Sequence, residues 1–176
     1  IPKEIFSYKI VVVVQDDIYR IKDGYGSTNL QIKGNKNGLK KILDMNIKYT
    51  LKTRTDQRLG NPDMLSFLKN MIKIFPLDKN INQKERLIGI SFDTFVYRLY
   101  GLSDMFLFGN TIDVFSYFDC KYDLRNFQDY KINMDSQREF SKENICEVYL
   151  MTEFLKRKGE CISWTLSHSL ETFKNR

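Results

Sequence analysis

The run Ile10–Val14 constrains the fold of this chain more than any other feature. It consists of one isoleucine followed by four valines. A short, continuous β-branched run is typical of a strand buried on both faces, as in a mostly parallel sheet covered by helices. Asp16 and Asp17 follow at the carboxyl end of this strand, where ligands bind in open α/β sheets. The run is far shorter than the roughly 20 apolar residues that cross a bilayer.

The segments that follow alternate between helical and strand patterns. Apolar side chains recur at helical spacing in residues 29–45, and residues 47–53 alternate with the period of two expected of a strand. Helices are predicted to begin at Asn61-Pro62, to follow Asn110, and to cover residues 143–158 with an end at Gly159. Strands are predicted at 86–91 and 105–108. A loop is predicted at 18–28, and residues 119–142 form a polar stretch. This alternation predicts a single α/β domain with a mostly parallel sheet flanked by helices.

The charge of the chain admits several classes of partner. Its 28 Lys and Arg residues outnumber 22 Asp and Glu residues, and such an excess attracts phosphate-bearing ligands, anionic membrane surfaces or nucleic acid. The basic residues are dispersed, with lysines at 33, 36, 40 and 41 in one stretch and three basic residues at 156–158 in another. This dispersal favours solvated faces, with phosphate, lipid and nucleic-acid contacts as alternatives. Nucleic acid is disfavoured, because no segment interleaves basic and aromatic residues in a recognisable pattern.

The cysteines and the single histidine suggest no catalytic or metal site of their own. Cys120, Cys146 and Cys161 have spacings that match neither a disulfide framework nor paired metal ligands. We therefore expect reduced thiols in a cytoplasmic protein, with peripheral contact at a membrane surface as a further expectation. His168 has no supporting motif nearby, so it is expected to be structural or exposed.

The segment Lys52–Asp56 places charged side chains just past a predicted strand. Arg54 and Asp56 are two residues apart, so both side chains could point into one crevice at the edge of the sheet. A carboxylate there can bind a divalent ion or a ribose hydroxyl, and an arginine can neutralise a diphosphate. The same pair also fits a salt bridge at the sheet edge, or an aspartate that caps a turn. The spacing alone leaves these interpretations open.

Several ordered blocks of this sequence resemble the WavE lipopolysaccharide-synthesis family, which is assigned to glycosyltransferases of the GT-A type. The blocks are Asn29-x-Gln31, Lys36-x-Gly38-Leu39, Tyr49-x-Leu51-Lys52-x-Arg54-Thr55-Asp56, residues 101–109 (GLSDMFLFG) and residues 146–150 (CEVYL). The resemblance covers residues 8–160 approximately. It implies a GT-A-like, Rossmann-like sheet that lacks the family's first strand and helix. It also implies transfer of a sugar from a nucleotide-sugar donor to a glycan or glycolipid acceptor.

The resemblance further implies roles for the matched residues. Asp56 corresponds to the acid of an Asp-x-Asp motif that holds a Mn²⁺ or Mg²⁺ ion and the donor diphosphate. Arg54 replaces the first acid of that motif and would supply positive charge directly. The residues implied in donor binding are Asn29, Gln31, Lys52, Arg54, Asp56 and Ser103.

Glu147 and Asp104 are the candidate catalytic bases. In inverting GT-A enzymes a carboxylate at a helix start comparable to Glu147 deprotonates the acceptor hydroxyl, and Asp104 could do the same or bind sugar hydroxyls. Each has a structural alternative, because Asn144-x-x-Glu147 fits a capping box and Asp104 could close a turn. The leading hypothesis is a glycosyltransferase of surface-glycan synthesis. The alternative is a non-catalytic nucleotide- or carbohydrate-binding module of the same fold.

Overall fold

The computed structural model describes residues 13, 28–57, 59–124, 142 and 145–176. The elements in chain order are α1 (Thr28–Asp44), β1 (Tyr49–Lys52), α2 (Met64–Ile74), β2 (Ile88–Gly89), β3 (Leu107–Asn110), α3 (Thr111–Phe118), α4 (Cys146–Arg157) and α5 (Leu166–Asn175). Among the described helices, none combines the length and the apolar character needed to span a membrane.

The sheet formed by these strands is antiparallel. β3 lies in the centre, and both β1 and β2 pair with it in antiparallel register. The prediction of a mostly parallel, Rossmann-like sheet of the GT-A type is therefore wrong. Alternation of helices and strands along a sequence does not fix strand direction. The alternating pattern at residues 47–53 was the better guide, because such alternation is typical of antiparallel strands.

β3 separates two apolar clusters. Leu107 packs in the larger cluster with side chains of α1, α3 and α4, whereas Phe108 packs with Leu68 and Ile72 of α2. Successive side chains of a strand point to opposite faces, so these two neighbours mark the two faces of the sheet. The fold therefore places α2 on one face of the sheet and α1, α3 and α4 on the other.

β1 directs its polar side chains into the protein. Lys52 lies opposite Leu107 in the register, so the two residues share the face covered by α3 and α4. Thr50 lies on the same face, is buried, and its hydroxyl shares a 2.8 Å hydrogen bond with the hydroxyl of Thr111. The face of β1 that looks polar in the sequence is thus an internal one, which is why Lys52 is withdrawn from water.

Local capping fixes several helix ends near their predicted positions. The Asn110 side chain accepts a hydrogen bond from the Ile112 amide and caps α3, as predicted. α4 ends before Gly159, which has φ of 90° and a left-handed backbone conformation that favours glycine. α2 begins at Met64 with Asp63 as its N-cap, slightly later than the Asn61-Pro62 signal suggested.

Some predicted features lie outside the described residues. These include the run at 10–14 apart from Val13, the aspartates at 16 and 17, most of the loop at 18–28, most of the polar stretch at 119–142, and Asn144. Val13 belongs to no strand and is 40% exposed. Thr28, predicted as the last loop residue, is the first residue of α1.

Candidate functional site

Lys52 lies at the centre of the charged residues that the fold brings together. As the last residue of β1 it extends from the internal face of the sheet, and its side chain is only 12% exposed. Its ammonium group donates a hydrogen bond to the main-chain oxygen of Asp104 and lies 4.0 Å from the Asp104 carboxylate. Burial lowers the pKa of Lys52, and the negative charge of Asp104 opposes that shift. A shielded ammonium of this kind interacts more strongly with anions than a hydrated one does.

Asp104 lies in the turn that precedes β3, so the structural alternative of a turn residue holds for its backbone. Its side chain is nonetheless 8% exposed and faces Lys52. The neighbouring Ser103 is buried, and its amide donates a 3.0 Å hydrogen bond to the hydroxyl of Thr94. The Ser103 hydroxyl accepts a 3.4 Å hydrogen bond from the Met105 amide. These bonds hold the turn that places the Asp104 carboxylate beside the end of β1.

Glu147 lies in the first turn of α4, and its carboxyl group is influenced electrostatically by Asp104. Burial raises the pKa of Glu147, and repulsion by Asp104 adds to this shift, whereas a hydrogen bond to its own backbone amide and the charge of Arg98 lower it. The charge of Glu147 in turn acts on Lys52. We call these three residues the Lys52–Asp104–Glu147 cluster. It joins β1, the turn before β3 and the start of α4.

Arg54 and Asp56 lie beyond the end of β1 and bind each other. The Arg54 guanidinium donates to both carboxylate oxygens of Asp56, at 3.0 and 2.9 Å. Both side chains are largely exposed, and this contact lowers the pKa of Asp56 and raises that of Arg54. The pair therefore forms the exposed salt bridge that was the structural alternative. The two side chains do not enter the buried cluster, although the charge of Arg54 acts on Lys52.

Asp56 is a poor fit to the metal ion that the resemblance implies. Both of its carboxylate oxygens already accept hydrogen bonds from Arg54. Divalent cations such as Mg²⁺ are usually held by several oxygen ligands. Within the described residues, no group of three or more His, Cys, Asp or Glu side chains could hold a metal ion. We therefore derive no chemical step through a metal at Asp56.

Asn29 and Gln31, the two remaining candidates for donor binding, lie in the first turn of α1. Asn29 is 1% exposed; its side-chain amide donates to the Asp123 carbonyl at 2.8 Å, and its side-chain oxygen accepts from the Asp123 amide at 2.6 Å. A donor contact would have to displace one of these bonds. The side-chain oxygen of Gln31 is buried without a hydrogen-bond partner among the described residues. Asn29 thus links α1 to the segment after α3 through its hydrogen bonds to the Asp123 backbone.

Three residues near the cluster were not foreseen from the sequence. Arg98 and Asp93 both act electrostatically on Glu147, and the Arg98 guanidinium lies 3.4 Å from the Asp93 carboxylate. The Tyr117 hydroxyl is buried, has no hydrogen-bond partner in the described part of the chain, and is influenced by Glu147 and Asp104. Residues 92–98 show no helical or strand pattern. The one signal available was that Arg98 precedes the block at 101–109 by three residues.

The thiols and the histidine have structural surroundings. The three cysteines are free, and burial raises the pKa of Cys146 to about 12 and that of Cys120 to about 11. Such thiols stay protonated at neutral pH and are poor nucleophiles. Nδ1 of His168 shares a 2.6 Å hydrogen bond with the hydroxyl of the buried Tyr100. The expected structural role of His168 agrees with this contact.

The chain was compared with models of protein families, with curated proteins and with solved structures, and no match was found in any of the three comparisons. The resemblance to the WavE family therefore stays a prediction, carried by the sequence blocks themselves.

Proposed function

We propose that this chain transfers a sugar from a nucleotide-sugar donor to a hydroxyl group of a glycan or glycolipid. The observation that carries the proposal is the Lys52–Asp104–Glu147 cluster. Its members come from three of the separate blocks that resemble the WavE family, and they lie 43 or more residues apart in the chain. Electrostatic interaction links all three, and the Lys52 ammonium contacts Asp104 directly. The proposal rests on these side chains and requires no GT-A fold.

Sugar transfer needs a cation for the leaving group and a base for the acceptor. The bond between the sugar and the donor phosphate breaks, and its electron pair leaves with the nucleoside diphosphate. Lys52 would stabilise that charge: an ammonium has three N–H donors, and one of them is used by the Asp104 main-chain oxygen. The acceptor oxygen forms the new bond to the sugar, and its proton passes to a carboxylate.

Glu147 is the better base of the two candidates. Its pKa is raised by burial and by Asp104, and a base with a higher pKa accepts a proton more readily. Asp104 is committed to Lys52, so its proposed role is to position that ammonium. Arg98 pairs with Asp93, and its charge acts on Glu147, so Arg98 would help to keep the carboxylate ionised.

The non-catalytic binding module is the second candidate, and one observation favours it. The charges expected at the diphosphate are already compensated, since Arg54 pairs with Asp56 and Lys52 contacts Asp104. A site of this kind could hold a nucleotide or a carbohydrate through hydrogen bonds without stabilising a leaving group. Binding of a nucleotide-sugar without turnover by the intact chain would support this second candidate.

The test is a turnover assay with UDP- and GDP-activated sugars and a panel of glycan and glycolipid acceptors, with and without Mn²⁺, on the intact chain and on Glu147→Gln. We expect one donor to be consumed, and the substitution to lower kcat by about 10²-fold to 10⁴-fold, the usual contribution of a general base. Donor affinity should be nearly unchanged, because Glu147 is assigned to the acceptor side.

Glu153→Gln is the matched control. Glu153 lies on the same helix, bears the same charge and pairs with Lys156 at 2.8 Å, away from the cluster. It should keep the activity of the unaltered chain. Equal losses in the two variants would exclude Glu147 as the base, and absence of turnover with every donor would exclude the transferase.

A further inference from the structure

A groove lined by four lysines lies along α1. It has a volume of about 420 Å³, and its lining residues are Ile32, Lys33, Lys36, Asn37, Lys40, Cys120, Lys121 and Tyr122. We call it the lysine groove. It shares no lining residue with the Lys52–Asp104–Glu147 cluster, so it is a separate feature of the surface.

The lysines belong to two parts of the chain that the fold brings together. Lys33, Lys36 and Lys40 follow one another at intervals of three and four residues, which places them on one side of α1. Lys121 comes from the segment after α3, and α1 packs against α3. The result is a concave surface with lysines on both walls. The sequence favoured a solvated face, with phosphate contact as one of the alternatives.

The wall that carries Lys121 and Tyr122 is held in place from two directions. Asn29 forms two hydrogen bonds with the backbone of Asp123, at 2.8 and 2.6 Å. From α4, the Tyr149 hydroxyl donates a 3.0 Å hydrogen bond to the carbonyl of Lys121. The groove is therefore pre-organised, which reduces the entropy lost when a ligand binds.

Among the described lining residues of the groove, four carry a positive charge and none carries a negative one. Lys36 forms an ion pair with Asp119. Lys40 and Lys121 have no ion-pair partner within the residues that the structure describes. The lining residues that the structure describes include no Asp or Glu. The groove therefore presents its lysine ammonium groups next to the hydrogen-bonding side chains of Asn37 and Tyr122.

We infer that the lysine groove binds a ligand that carries two or more phosphate groups. Lysine ammonium groups bind phosphate as point charges. From Lys33 to Lys40 the helix rises about 10 Å, which exceeds the reach of one phosphate and suits a row of them. The phosphates can belong to a free polyphosphate compound or to lipid headgroups, and both have the same chemistry. This inference does not depend on the proposed sugar transfer.

The experiment is calorimetric titration of the intact chain with inorganic tripolyphosphate, alongside Lys40→Glu and Lys41→Glu. These adjacent lysines are both exposed in the last part of α1, and their substitution changes the net charge equally, but only Lys40 lines the groove. We expect Lys40→Glu to weaken binding about tenfold or more, as expected for reversal of a contacting charge. Lys41→Glu should weaken it by about twofold or less, because exposed charges that do not contact the ligand are screened by salt.

Lys121→Gln tests the opposite wall and should also weaken binding. Co-sedimentation with phosphatidylcholine vesicles, with and without phosphatidic acid, identifies the source of the phosphate. Binding to tripolyphosphate alone indicates a free ligand, and binding to phosphatidic-acid vesicles that Lys40→Glu abolishes indicates a lipid headgroup. The inference is overturned if neither probe binds, or if Lys40→Glu and Lys41→Glu weaken binding equally.

Discussion

The carboxyl group of Glu147 lies in surroundings that favour its protonated form. Partial burial removes hydration from the carboxylate, and the negative charges of Asp104 and Asp93 add repulsion. Its own backbone amide and Arg98 oppose this effect without cancelling it, so the pKa remains raised. A group whose charged form is disfavoured by the fold reduces stability at neutral pH. Such a residue is easier to explain by a functional role than by a structural one.

This balance predicts a pH-dependent stability difference between the unaltered chain and Glu147→Gln. Because the pKa of Glu147 is higher in the folded than in the unfolded state, the folded protein binds this proton more tightly, and ionisation at higher pH reduces stability. The glutamine variant lacks that penalty. Denaturant unfolding should therefore find it more stable at pH 7, with the gain shrinking as the pH falls through the raised pKa towards the ordinary glutamate value. A gain that is independent of pH, or a loss that appears only at neutral pH, would contradict the assigned environment.

Sequence patterns located the charged residues of the site better than they assigned their contacts. Lys52 contacts Asp104, and the charges of both residues interact with that of Glu147 or are influenced by it. Arg54 and Asp56 were expected to face a ligand, but their side chains form a salt bridge with each other. Spacing along a strand end shows that two side chains are near, but it does not distinguish a mutual salt bridge from a shared ligand. Those alternatives differ only in side-chain conformation.

At the scale of elements, glycine has opposite roles in α1 and after α4. Gly159 has φ of 90°, and the following amide of Glu160 bonds to the Leu155 carbonyl at 3.0 Å, as in a Schellman motif. Gly38 lies inside α1, where an added Cβ would meet no atom within 4 Å. One glycine is required by its backbone conformation, and the other only weakens its helix.

The two alanine substitutions should therefore change stability in opposite directions. Gly159→Ala should lower the free energy of unfolding by about 1 kcal/mol, since a Cβ disfavours the left-handed conformation. Gly38→Ala should raise it by about 0.5–1 kcal/mol through higher helix propensity. Chemical denaturation of both variants measures the two changes in the free energy of unfolding. Destabilisation by Gly38→Ala would show that α1 is packed more tightly at this position than the structure indicates.

The elements that sequence patterns identified are those with a clear apolar period or a cap. α1, β1, β3, the Asn110 cap and the end of α4 at Gly159 were all predicted within a few residues. α5 was missed because its periodicity is inverted: Ser169 and Thr172 are buried, whereas Leu166 and Leu170 are exposed. Its buried face is held by polar contacts such as the bond from the Tyr100 amide to the Ser169 hydroxyl, 3.0 Å long. Apolar spacing carries no information about a face of that kind.

At the scale of the whole molecule, the antiparallel sheet brings the charged residues Lys52 and Asp104 together. β1 and β3 run in opposite directions, so the end of β1 at Lys52 meets the start of β3 beside Asp104. In a parallel sheet, the ends of both strands would have lain at the same edge instead. The contact between Lys52 and Asp104 therefore depends on the antiparallel direction of these two strands. The run at 10–14, which suggested the parallel sheet, lies outside the described residues apart from Val13.

The central claim is that Lys52, held beside Asp104 in the Lys52–Asp104–Glu147 cluster, binds the diphosphate of a nucleotide-sugar. The most direct measurement is the melting temperature with UDP or GDP, for the intact chain, Lys52→Met and Lys48→Met. Lys48 is the control because it lies just before the same strand and its side chain is 65% exposed. A ligand that binds only the folded state raises the melting temperature, so this comparison reports binding at the cluster separately from binding at the lysine groove.

We predict that one of these nucleotides raises the melting temperature of the intact chain and of Lys48→Met, and that Lys52→Met loses most of this increase. No increase with any nucleotide, or an equal increase in the two variants, would contradict the assignment of Lys52 to the donor diphosphate.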